Sequence, residues 1–337
     1  MLARVSKRLQ ERGHGPQLRA TRALDISRTS APRPGPRAGR RQDGLQCRLH
    51  PNAREAADHG TPHHHLTSDF GRKDWFVGVV HGVLYRVCPE AHIVDLTHDV
   101  PPGNIARAAF LLEAAAPDFP PGTVHLAVVD PGVGTARRAL AVAARGQTFV
   151  GPDNGILEWA LRDPEARAWT LTGARWFRQP VSRTFHARDV FAPVAAHLAG
   201  GVAPDRLGPE ARDFVRLPHA MPEFRADGLL GCVMFVDHFG NALTNIDAED
   251  LARAFPDVAE PALEVRVLDH TIRGLARSYG EHPLGTMVAV VGSSGRLEFA
   301  QVGGDCATRL GIGAGDRVQV RRLQGGTPAG ELEPPRH

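Results

Sequence analysis

An α/β fold is predicted for this 337-residue sequence: a mostly parallel sheet, then a smaller β-rich, barrel-like second domain. Three observations predict it. Between residues 65 and 199, short apolar runs alternate with stretches whose apolar residues recur at three- and four-residue spacing, the pattern of βαβ units. Beyond residue 228 the apolar runs are strand-like and only short helices intervene. Residues 208–225 between them hold three prolines and no period.

In chain order, strands are expected at residues 65–67, 92–96, 123–129, 139–144 and 148–150. Helices are expected at 74–87, 104–116, 154–161 and 189–199. Pro101-Pro102-Gly103 and Pro120-Pro121-Gly122 punctuate these elements as loops. The second domain reads as strands at 229–237, 262–268, 287–292, 297–302 and 317–323, with short helices at 247–254 and 305–310. The domains are therefore set at 65–207 and 228–325, with a linker at 208–227 and a tail at 326–337.

Residues 1–64 form an Arg/Pro-rich extension that cannot bury enough apolar surface to offset its ordering entropy, so disorder is expected. Either an over-extended reading frame with its true start near Leu66 or a genuine tail explains it. The net charge of +3 comes from this head: residues 1–60 hold 13 Lys+Arg against 5 Asp+Glu, leaving 27 against 32 in the rest. A mildly acidic folded part argues against nucleic-acid binding, and no apolar run reaches the ~20 residues of a membrane span. Cys47, Cys88, Cys232 and Cys306 show no paired spacing, which fits a reduced, cytoplasmic chain, with Cys88 and Cys306 as small core residues. His63-His64-His65 stands without partner ligands and is not expected to hold a metal.

The chemistry concentrates at residues 128–137. An apolar strand empties into Asp130-Pro131-Gly132-Val133-Gly134-Thr135, and Arg137 follows seven residues after the acid. Such strand-end, glycine-rich turns let ligands approach bare backbone. Related turns stand at Thr67-Ser68-Asp69-Phe70-Gly71 and Gly151-Pro152-Asp153-Asn154-Gly155, and together the three read as one site. Taken singly, Asp130 reads as a turn cap, Arg137 as a solvated surface cation and His186 as a hydrogen-bonded loop histidine. Their joint occurrence is what carries weight.

These turns, together with Asp95-Leu96-Thr97-His98, Phe185-His186-Ala187-Arg188-Asp189, Asp237-His238-Phe239-Gly240-Asn241 and Gly292-Ser293-Ser294-Gly295-Arg296-Leu297-Glu298, resemble the S-adenosyl-L-methionine (SAM) hydroxide adenosyltransferase family, relatives of the fluorinase and chlorinase. The motifs run in one order over residues 65–323. The resemblance implies a Rossmann-like first domain and hydrolysis of SAM to adenosine and L-methionine by water attacking ribose C5′. SAM is then a substrate, with no cofactor and no metal. It places an Asp-Arg-His triad on Asp130, Arg137 and His186, leaving open which member activates the water.

For substrate contacts, the resemblance points to Asp69 for the ribose hydroxyls, since a carboxylate accepts two hydrogen bonds from a cis diol. Phe70 and Phe185 would wall the sugar, and Asp95 is equally explained by a structural hydrogen bond. Asp237 and Asn241 would take the ammonium and the adenine edge, and Ser293 and Ser294 the methionine carboxylate. The family's site forms between subunits of a homotrimer. Ala187 offers no serine hydroxyl for halide, so water is favoured over chloride. A chlorinase-type halogenase, a SAM- or adenosine-binding sensor without turnover, and an RNA- or membrane-associated protein using the basic head are the alternatives.

Overall fold

The structure is a computed structural model and describes residues 63–217, 221–257, 259 and 262–323. The expectations for residues 1–62, including Cys47, and for the tail lie outside the described residues.

Strand β1 (His63–Ser68) opens the fold. His63 and His64 thus belong to a strand, correcting the extension assigned through residue 64. The reason is pairing on both sides: His63 lies opposite His92, and His64 lies opposite both Ile93 and Val124. There follow α1 (Phe76–Val87), β2 (His92–Thr97), α2 (Ile105–Ala115), β3 (Val124–Val128), β4 (Ala139–Ala144) and β5 (Gln147–Pro152). Next come α3 (Glu158–Leu161), β6 (Arg167–Thr170), a π-helical turn at Ala187–Phe191 leading into α4 (Ala192–Ala199), and β7 (Glu210–Ala211).

The first sheet has the order β2-β1-β3-β5-β4-β6-β7. Its β2, β1, β3 and β5 run parallel, while β4, β6 and β7 are antiparallel additions. Strand β3 is buried at every position, as a central parallel strand covered on both faces must be. Helices α1 and α4 share one apolar cluster with the sheet, and α2 and α3 share another. Because the four parallel strands point the same way, Asp69, His98, Asp130 and Asp153 all emerge at one edge of the sheet.

Three first-sheet expectations are corrected. The helix expected at 154–161 is a single turn, because Asn154 instead bonds the backbone of Val129 and Ile156. Strand β6 was not expected; its Arg-Ala-Trp-Thr run is short, and only its middle two residues are buried. The stretch 208–227 is also not a bare linker. It supplies an edge strand to each sheet, β7 beside β6 and β8 (Glu223–Arg225) beside β9.

The second sheet contains β9 (Gly228–Val236), β10 (Ala242–Asp247), β11 (Leu263–Val267), β12 (His270–Arg273), β13 (Met287–Val291), β14 (Arg296–Gln301) and β15 (Arg317–Arg322), with α5 (Ala248–Ala254) and α6 (Cys306–Leu310). All its pairs are antiparallel, in the order β12-β11-β15-β9-β10-β14-β13. A bridge from Ala276 to Val290 brings the two ends together, so the sheet is a nearly closed barrel. Strand β9 alternates buried and half-buried residues, as a strand with one face in a core does. Strands β10 and β12 were not expected. Buried Thr244 and Asn245 break the apolar pattern of β10, yet each is satisfied: Thr244 Oγ1 donates to Leu297 O at 2.7 Å and Asn245 Oδ1 accepts from Cys232 N at 2.8 Å.

Helix α2 joins the two sheets. Phe110 packs edge-on against Phe235 with centroids 4.7 Å apart. Glu113 accepts from Arg162 at 2.6 Å and from the buried Arg296 at 2.5 Å. No described helix is long and apolar enough to cross a membrane.

Candidate active site

Asp130, Arg137 and His186 meet at the end of β3. Arg137 Nε donates to Asp130 Oδ1 at 2.9 Å, and its Nη2 donates to Asp130 Oδ2, a two-pronged pair. The same Nη2 donates to His186 Nδ1 at 2.9 Å. The guanidinium carbon lies 5.1 Å from the centre of the Phe191 ring. Burial, then the Arg137 charge, hold the His186 imidazole below its usual pKa. A neutral ring accepting at Nδ1 carries its proton on Nε2 and is therefore a donor there.

The turn that folds Arg137 back onto Asp130 needs its glycine. Gly134 has φ +78°, and a Cβ there would lie 2.2 Å from Arg183 O. That contact seats the Asp130 turn against the loop leading to His186. The loop is anchored by Asp189, which sequence reasoning assigned no role. Burial would raise its pKa, but hydrogen bonds from Arg188, the Ser182 backbone and Arg178 outweigh it and hold the carboxyl at about 2.

The other strand-end residues fare differently. Asp69 Oδ2 accepts from Gly103 N at 2.9 Å, fixing the Pro101-Pro102-Gly103 loop. Phe70, Trp75, Phe76 and Phe185 form an aromatic cluster, with Phe70 and Phe185 centroids 6.0 Å apart. Asp95 Oδ1 lies 2.8 Å from His81 Nε2 and 3.0 Å from His98 Nε2; burial opposes its charge, but the two imidazoles lower its pKa. Asp153 does not join the site, contrary to the reading of three turns as one. Both of its oxygens are taken, by Arg138 at 2.8 Å and by Val215 N at 2.9 Å.

Asp237, Asn241, Ser293 and Ser294 do come together, lining a cleft of about 660 Å³ on the barrel. Asp237 Oδ1 accepts from the backbone of Phe239 and Asn241, each at 2.8 Å, and Oδ2 accepts from Asn241 Nδ2 at 3.1 Å. Ser294 Oγ is buried with no hydrogen-bond partner among the described residues.

The sequence from 65 to 208 matches the family model of the SAM hydroxide adenosyltransferase N-terminal domain, and 231–319 matches that of the C-terminal domain. The chain belongs to the SAM hydroxide adenosyltransferase family. It is 44% identical over 268 residues to an "(R)-S-adenosyl-L-methionine hydrolase" of Salinispora tropica, covering 77% of this chain and 98% of that one. A Thermus thermophilus protein of the same name is 43% identical over 269 residues, covering 76% and 98%. A solved structure from Thermotoga maritima superposes with a TM-score of 0.70 at 36% identity, covering 77% of this chain and all of that one.

In this SAM hydroxide adenosyltransferase two further residues face the barrel cleft. Glu298 is pushed up to about 7, by burial first and by the charge of Asp237 second, and accepts the Tyr279 hydroxyl. Gly292 leaves room for it, since a Cβ there would meet Glu298 Oε2 at 2.6 Å. Glu298 closes the last sequence motif and so carried a signal; Tyr279 carried none. The triad and the cleft share no hydrogen bond within the protomer among the described residues.

Proposed function

We propose that this SAM hydroxide adenosyltransferase hydrolyses S-adenosyl-L-methionine to adenosine and L-methionine. The observation that carries the reading is the Asp130–Arg137–His186 network at the strand edge. In the reaction, water oxygen bonds to C5′, the C5′–S bond breaks with its electron pair passing to sulfur, and a proton is released. The sulfonium leaves as a neutral thioether, so no general acid is needed. The remaining demand is in-line positioning of a weak nucleophile and stabilisation of its hydroxide character. Arg137, oriented by both oxygens of Asp130, supplies the positive charge. Neutral His186 offers Nε2–H and so orients the water rather than taking its proton.

Asp69 holds the ribose through Oδ1 while Oδ2 accepts from Gly103 N, and Phe70 and Phe185 wall the sugar. Asp237, Asn241, Ser293 and Ser294 receive the amino-acid and adenine ends, where the unpartnered Ser294 hydroxyl calls for an acceptor or donor. Asp95 serves in positioning, since His81 and His98 crowd its carboxylate. The triad of one subunit faces the cleft of its neighbour in a homotrimer, the arrangement that the family resemblance implies. A cytoplasmic setting fits the free thiols of Cys88, Cys232 and Cys306. Ala187, buried beside His186, presents no hydroxyl to a halide.

The test is incubation with each sulfonium epimer of SAM, with and without chloride, followed by chromatography of the products. Adenosine and methionine are expected, with kcat lowered on the order of 10²–10³-fold in Arg137→Ala. A chlorinated nucleoside, or tight binding without turnover, overturns the reading.

A further inference from the structure

Behind the strand edge, three side chains converge that the proposed reaction does not use in chemistry. His81 comes from α1, Asp95 from β2, and His98 from the turn after β2. One ligand atom from each lies within 4.8 Å of the others. Asp95 and His98 stand three residues apart in the sequence, but His81 joins them from α1, fourteen residues before Asp95, which no spacing rule singles out.

His98 is the deciding residue. Its side chain is 2% exposed. Its Nε2 faces Asp95 Oδ1 at 3.0 Å but is out of line for a hydrogen bond, and it has no other partner among the described residues. A buried ring nitrogen without a partner is costly unless something else occupies its lone pair. The other ring nitrogen, Nδ1, is held by buried Ser68 Oγ at 2.7 Å. That is the arrangement of a metal-ligating imidazole, whose second nitrogen is fixed by an outer hydrogen bond.

The spacing also suits an ion. His81 Nε2 and His98 Nε2 stand 2.8 and 3.0 Å from Asp95 Oδ1, the first as a hydrogen bond that an ion would replace. With all three atoms within 4.8 Å of one another, small shifts bring each to about 2.1 Å from one cation. Two imidazoles and one carboxylate favour a first-row transition ion over magnesium or calcium, which take oxygen ligands. His81 and Asp95 are 28% and 20% exposed, so an ion and its waters can enter from solvent.

We propose that His81, Asp95 and His98 bind one divalent first-row transition-metal ion, which clamps α1 to the end of β2. Through Ser68 the clamp stiffens the turn that carries Asp69, and it takes no part in bond making or breaking. This goes beyond the hydrolase reading and does not depend on it.

The test uses the full chain, stripped with chelator and then given CoCl2 or ZnCl2. Metal is counted by mass spectrometry after desalting, with visible cobalt absorption and thermal unfolding as further readouts. The expected result is one equivalent of metal, ligand-field bands and a raised Tm, all abolished in His81→Leu and all kept in His63→Ala. His81 is 28% exposed and lies outside the buried core, and circular dichroism verifies that its replacement keeps the fold. No bound metal in the wild type, or metal retained undiminished in His81→Leu, overturns the proposal.

Discussion

Acid sensitivity of the first sheet follows from three buried histidines. His64, His65 and His125 are fully buried on β1 and β3. His64 is lowered to about 4, by burial and then by His63. Burial and then His125 lower His65 to about 3, and burial lowers His125 to about 4 against a hydrogen bond to the Gln147 side chain. Above pH 6.5 all three are neutral in both folded and unfolded chains, and pH costs nothing. Below it the unfolded chain binds protons that the folded one refuses. Each histidine then costs about 1.4 kcal/mol per pH unit until its folded pKa is reached. By about pH 5 the loss is about 2 kcal/mol per residue, or about 6 kcal/mol for the three. Glu298 works in the opposite sense: its raised pKa means the folded state takes up a proton first as pH falls through about 7, offsetting part of the loss.

A single substitution isolates one share. Neither ring nitrogen of His64 has a hydrogen-bond partner among the described residues. His64→Leu should therefore raise stability at neutral pH by about 1–3 kcal/mol and remove about 2 kcal/mol of the loss at about pH 5. Urea unfolding followed by circular dichroism, at one fixed protein concentration, measures both, and the contribution of Glu298 cancels in the comparison. Parallel pH profiles for wild type and His64→Leu would refute the argument.

Three further outcomes are expected. Gly134→Ala forces a Cβ against Arg183 O and a positive φ on alanine; SAM turnover should fall steeply and Tm should drop, and a wild-type rate would show that the turn is not needed. Glu113→Ala leaves Arg162 and buried Arg296 facing each other without their shared carboxylate, and denaturant unfolding should report a loss of about 3 kcal/mol. Because His186 is held below its usual pKa, and its protonation would set a cation beside Arg137, kcat/KM should stay level as pH falls through 6.5 and decline only below it. An acid limb at or above pH 6.5, with the fold verified intact, contradicts the neutral-imidazole role.

Much of the architecture was legible because burial leaves a periodic trace. The all-apolar β4 was bounded correctly from sequence, and β3 nearly so. Strand β10 was not seen, because its buried polar residues break the apolar pattern and are satisfied by hydrogen bonds to the two flanking strands, β9 for Asn245 and β14 for Thr244. Strands β7 and β8 are short edges whose existence depends on a neighbour being there. In the site, the types and spacing of Asp130, Arg137 and His186 were readable as motifs. The removal of Asp153 by Arg138 and Val215 was not, since it depends on a contact 62 residues along the chain. Glu298 shows the same limit: its place in a motif was visible, but its raised pKa comes from burial and from Asp237 in the same cleft.

By itself, then, the sequence determined the alternation of strand and helix in the first part, the split into an α/β part and a β-rich part, and the residues of the family motifs. These are local or periodic properties, and each is written in neighbouring residues. Only the tertiary structure decided which nitrogen of His186 faces Arg137, which acids stay free at the strand edge, and that His81 stands beside Asp95 and His98. Those facts depend on desolvation and on distances between atoms remote in sequence, and strand pairing and helix packing set both.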